Sequence, residues 1–166
     1  MQILIGKAGL LSTLALAVSF PAFAACPIEL ATYADTENTA ELEFTPTTES
    51  ATVTNSFRML LGNDVVLDGV VMWSEGVARP NGMLMHNCPE GDVTGAELDA
   101  CTVWQGVIYT SDDKGEIKLL PAEGADAPQK LILADLAHSL TLSSAYGAAG
   151  FAKAPFDVFA LKSCQE

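Results

Sequence analysis

The sequence predicts an α+β fold: a mainly antiparallel β-sheet with one buried helix near the C-terminal third. Three observations carry this expectation. Short apolar–polar alternations recur along the chain between Gly, Asn, Asp and Pro turn signals. One segment, 129–143, is dense enough in leucine for a buried helix. Four cysteines follow an export leader, a number that suits two staples in one domain.

Residues 1–24 read as a secretory signal peptide. Lys7 is the only charged side chain, residues 8–20 are apolar apart from small hydroxyl residues, and Pro21 breaks the run before Ala22-Phe23-Ala24. The apolar run is short of the roughly 20 residues that span a bilayer. Cleavage after Ala24 leaves residues 25–166, about 142 residues and the size of one domain, in the periplasm or secreted. Phe23-Ala24-Ala25-Cys26 also resembles the lipobox, which gives a lipid-anchored alternative through Cys26. Phe23 departs from that pattern, and acylation would leave three cysteines, an awkward number in an oxidising compartment.

Taken in order, residues 25–52 begin as a polar, acidic arm in which residues 40–44 alternate as a short strand. Residues 52–61 read as strand, Gly62-Asn63-Asp64 as a turn, and residues 65–73 as the returning arm of a hairpin. Gly69 inside that arm suggests a bulge. Residues 83–86 form a short apolar strand leading into Cys88. The stretch between Cys88 and Cys101 reads as a loop with turn formers at both ends. Residues 102–110 and 116–120 flank the turn Ser111-Asp112-Asp113-Lys114-Gly115 as a second hairpin. Asp126 and Pro128 are placed to start the helix at 129–143, and residues 156–161 read as a closing strand.

The cysteines admit three pairings. Cys88–Cys101 closes a short turn-rich loop, and Cys26–Cys164 joins the ends of the mature chain, which often lie close together in a domain. No C-x-x-C pair is present to support a redox site.

Charge narrows the partners. The whole chain carries 8 basic and 21 acidic residues, a formal charge of −13; loss of Lys7 takes it to −14. Such a surface repels nucleic acid and anionic lipid, and attracts a cationic protein or peptide. Residues 88–101 hold Glu90, Asp92, Glu97 and Asp99 without a base, but lack the spacing of a calcium-binding EF-hand loop.

The run Met83-Leu84-Met85-His86-Asn87-Cys88 sets two thioethers, an imidazole and a thiol close together, soft ligands of the kind that bind copper. Strand alternation opposes convergence, because Met83 and Met85 share one face and His86 and Cys88 the other. Methionines packed in a core are the competing reading. His138 lies in the helix segment, and two histidines cannot make an all-histidine zinc site. Neither the G-x-S-x-G nucleophile elbow nor a phosphate-cradling glycine motif occurs. Trp73 and Trp104 sit in candidate strands, where a packed core is the commoner fate than a binding face.

The sequence therefore supports a small exported acidic domain that binds or scaffolds without catalysis and needs no cofactor. The alternatives are a periplasmic copper or soft-metal binder centred on His86, Met83 and Met85, and a hydrolase whose site has no recognisable motif.

Overall fold

A computed structural model describes residues 26–48, 52–73 and 76–165. The leader at 1–24, with its cleavage site, lies outside the described residues. Strands β1 (Ala31–Asp35), β2 (Ala40–Thr45), β3 (Val53–Leu61), β4 (Val66–Met72), β5 (Asn81–Met85) and β6 (Thr102–Gly106) pair in chain order. Strands β7 (Ile108–Ser111), β8 (Ile117–Leu119), β9 (Lys130–Leu133) and β10 (Val158–Cys164) complete the array. Every pairing is antiparallel, in the order β6-β5-β4-β3-β2-β1-β10-β9-β7-β8. The fold is thus mostly antiparallel β with few helices, as the alternating pattern predicts.

The two ends of this order are joined by the chain itself. Val107 alone separates β6 from β7, and the inward positions continue without a break in step: Trp104, Gly106, Ile108, Thr110. β6 and β7 are two halves of one bent strand. Its first half pairs with β5 and its second with β9, so the array closes into an eight-strand up-and-down barrel with β8 added outside the ring. Closure removes most of the exposed edge that an open sheet would leave.

Tyr33, Leu42, Phe44, Phe57, Met59 and Phe159 are among the inward side chains that fill the barrel, each at most 2% exposed. Tyr33 stands edge-on to Phe44, which stacks on Phe57 at 5.2 Å. Loop 120–128 covers one end. Asn55 Nδ2 donates to the Pro121 carbonyl at 3.1 Å, the Tyr33 hydroxyl to that of Pro128 at 3.0 Å, and the Ile28 N–H to that of Ala125 at 2.9 Å. Burial pushes the Tyr33 phenol well above its ordinary range, so it stays a neutral donor. The other end is closed by helix α2 (Leu136–Thr141) and the segment through Phe151, tied to the β3–β4 turn by Asn63 Nδ2 on the Gly150 carbonyl at 2.7 Å.

The cysteines pair as expected. Cys26–Cys164, with Cα atoms 5.8 Å apart, sits at the β1–β10 seam beside loop 120–128. Cys88–Cys101, 5.2 Å apart, closes the excursion between β5 and β6.

Several local expectations change. The segment 129–143 is not one helix. Lys130–Leu133 is strand β9, with Leu131 and Leu133 inward and Lys130 exposed, because β7 and β10 pair on either side of it. A short leucine-rich run fits both periods, and the neighbouring strands decide. Asp135 turns the chain at φ 63°, and α2 starts there because Asp157 accepts from the N–H groups of Asp135 and Ala137 at 2.9 and 3.0 Å. Asp126 and Pro128 belong instead to the covering loop. Ala31–Asp35, read as part of a polar arm, is a strand buried along its whole length between β2 and β10. The cysteine-bounded loop contains helix α1 (Gly95–Cys101), started by a reciprocal cap between Thr94 and Glu97.

Gly69 marks no bulge. It pairs in register with Phe57, whose ring lies over it so closely that an added Cβ would stand 2.4 Å from the ring. Gly69→Ala is therefore expected to cost about 1–3 kcal/mol through displacement of Phe57 from its stack on Phe44. Chemical denaturation of the two proteins measures this; equal midpoints would contradict the packing.

Candidate functional site

The soft-ligand run lies at the end of β5. Leu84 points inward opposite Trp104, so Met83 and Met85 share the outer face; Met83 is buried there. The His86 N–H donates to the Cys101 carbonyl at 2.9 Å, and Asn87 turns the chain at φ 53°. The Cys88 sulfur is held by Cys101 and leaves the ligand set. The His86 side chain lines an open cleft of about 440 Å³ with Asn87, Pro89, Glu97, Ala100 and Ser144. Among the described residues no three His, Cys, Asp or Glu side chains gather as a metal site. His138 is exposed on α2 and is not among the residues that line that cleft, and its carbonyl accepts from the Thr141 hydroxyl and the Leu142 N–H.

The tryptophans part company. Trp104 is buried, its indole N–H donating to the Ala134 carbonyl at 3.0 Å. Trp73 lies just past β4 and is 55% exposed, with its N–H on the Val77 carbonyl at 2.9 Å. An indole whose donor is met locally presents an apolar face to solvent.

Trp73 belongs to the most distinctive surface, around β8. An apolar cleft of about 270 Å³ is lined by Trp73, Ala78, Pro80, Leu119, Leu120 and Ala122. On the other side of β8 an acidic cleft of about 440 Å³ carries Asp112, Asp113, Glu116 and Asp126, with Lys118 as its one ammonium. Four carboxylates against one ammonium leave that cleft strongly negative. Lys118 pairs with Glu116 at 2.9 Å, which holds its ammonium above the ordinary lysine range; Asp112 accepts from the N–H groups of Lys114 and Glu116 and shapes the turn. Leu119 borders both clefts.

Little in the linear sequence marks this surface. The alternation of residues 116–120 announces a strand, but not that the strand stands outside the ring. The one local signal was Trp73 at the end of its run, next to a turn-rich segment.

The fold and this surface define a disulfide-stapled, up-and-down β-barrel with an acidic exterior. No family model matches the chain, and comparison with curated proteins and with solved structures finds no match. Among the described residues no helix is long and apolar enough to cross a membrane.

Proposed function

We propose that this chain is an exported, non-catalytic binding domain whose partner is a cationic protein or peptide. The observation that carries the reading is the fate of the bases. Arg58, Lys118, Lys153 and Lys162 are each paired with a glutamate, and Arg79 donates to the Tyr109 hydroxyl at 2.8 Å. Five of the seven bases among the described residues are thus engaged locally, Lys114 and Lys130 being the other two, and every described carboxylate except that of Asp35 reaches the surface. Such a field raises the encounter rate of a cationic partner and disfavours an anionic one.

Export is supported by the leader pattern together with two disulfides, which persist in oxidising compartments. The pairing of Cys26 with Cys164 favours an untethered chain over one acylated at Cys26.

The test uses residues 25–166 with both disulfides oxidised, titrated calorimetrically against cytochrome c and against its lysine-acetylated form. Saturable binding of the cationic form is expected at about 0.01 M salt, where the Debye length is roughly 30 Å, and marked weakening at about 0.15 M, where it is roughly 8 Å. Equal binding of the acetylated form, or none of either, would overturn the reading.

A further inference from the structure

The ladder between β7 and β8 fixes which backbone groups of β8 are used. The Leu120 N–H donates to the Ile108 carbonyl, and the Asp112 N–H to that of Glu116. Bonded and non-bonded pairs alternate in an antiparallel ladder, so Thr110–Lys118 is a bonded pair while Tyr109–Leu119 and Ser111–Ile117 are not. The N–H and C=O groups of Ile117 and Leu119 therefore point away from β7. β8 ends the array on that side, and all three of its residues are exposed, Ile117 at 55% and Leu119 at 38%.

Natural edge strands are blunted by charge, proline, bulges or a covering element. β8 has Lys118, but its two outward-bonding positions carry branched apolar side chains, and Leu119 lines the apolar cleft with the exposed Trp73. Its faces differ in chemistry. Ile117 and Leu119 share one face with Tyr109 and Ser111, Leu119 bordering the apolar cleft, and Lys118 shares the other face with Thr110, both of which line the acidic cleft of Asp112, Asp113, Glu116 and Asp126.

We propose that the open edge of β8 receives an extended segment of a cationic polypeptide as an added strand, its apolar side chains on Ile117, Leu119 and Trp73 and its basic side chains over the acidic cleft. The inference deepens the reading above and rests on it. Charge complementarity selects the occupant: an added strand puts alternate side chains on opposite faces, so a segment alternating apolar and basic residues satisfies both faces of β8 at once. A residue that bonds to Ile117 or Leu119 lies on their face, so the apolar residues are the ones whose N–H groups are consumed. A second copy of this chain would bring carboxylates to carboxylates.

The probe is acetyl-Lys-Val-Lys-Val-Lys-Val-Lys-amide, compared with its analogue N-methylated at the valines, which has the same charge and lacks the N–H groups that would reach β8. Binding is read by calorimetry and by amide shifts of residues 116–120 at about 0.01 M salt. The N-methylated analogue is expected to bind about tenfold more weakly, since it forfeits the backbone bonds. Ile117→Pro should give a similar loss, because it removes an outward N–H without touching the β7 ladder. Its unchanged melting temperature would show the barrel intact, and the N-methylated peptide tests the point with no change to the protein. Equal binding of both peptides, lost only with salt or with Asp113→Asn and Glu116→Gln together, would overturn strand addition while leaving the cationic-partner reading standing. If neither this peptide nor cytochrome c binds, the reading itself falls and the inference with it.

Discussion

A chain with Cys26→Ser and Cys164→Ser is expected to lose about 5 kcal/mol of stability, against about 3 kcal/mol for Cys88→Ser with Cys101→Ser, by loop-closure entropy. The sequence separations are 138 and 13 residues, and the difference follows from the logarithm of their ratio. Domains of this size have some 5–15 kcal/mol in total, so the first loss is a large fraction. Position adds to it. Cys26–Cys164 sits where β1 meets β10, the contact that closes the ring between the two ends of the chain, and the Gln165 N–H donates to the Leu30 carbonyl beside it at 2.7 Å. Cys88–Cys101 holds only the excursion that carries α1. Urea unfolding of the two double variants measures both losses. A greater loss for Cys88–Cys101 would contradict the assignment of the seam to the terminal staple.

Asp35→Asn is expected to cost about 2–3 kcal/mol at neutral pH and progressively less in acid. Asp35 is 3% exposed at the end of β1. Its Oδ1 accepts from the N–H groups of Thr39 and Ala40 at 2.6 and 3.0 Å, and its Oδ2 accepts from the Thr39 hydroxyl at 2.8 Å, which shapes the β1–β2 turn. Burial pushes this carboxyl up, but the bonds from Ala40 and Thr39 together outweigh it and hold it below the usual aspartate range. A folded-state pKa below the unfolded one, about 3.9, means that the group stabilises the fold fully above that value. The contribution fades as pH falls through the depressed folded value. The difference between wild type and Asp35→Asn should therefore be flat from roughly pH 5 upward and shrink below about pH 4. Denaturation across that range checks it; a difference that grows in acid would reverse the sign and refute the bonding.

Both effects trace to features of differing visibility. The pairing of the cysteines could be argued from their spacing, since one pair bounds a turn-rich loop and the other lies at the ends. Nothing local announces Asp35, because it lies in a stretch that reads as a polar arm. Its role depends on β1 being buried on both sides, which is set by β2 and by β10, about 130 residues further along the chain.

The same division runs through the rest of the molecule. Strand positions such as β2, β3 and β4 are written in side-chain alternation, whereas the start of α1 rests on a Thr94-to-Glu97 spacing that the loop expectation for 88–101 does not use. Alternation is a property of neighbouring residues, so it survives in a linear reading. The order in which strands meet is not. The residues 131–133 are equally good helix or strand until β7 and β10 flank them, and α2 begins where it does because a carboxylate from residue 157 reaches its first N–H groups. Trp73 and Trp104 look alike in sequence and end in opposite environments, because one runs past the end of its strand and the other faces the lumen. By itself, then, the sequence determined the β-rich class, a cysteine count that suits two staples, the acidic surplus and most strand positions, all of which depend on composition and local period. Only the tertiary structure decided the closure through Val107 and the exclusion of β8 from the ring. These depend on which distant backbones share hydrogen bonds, and the donors and acceptors left over on β8 are defined only once that pairing is complete.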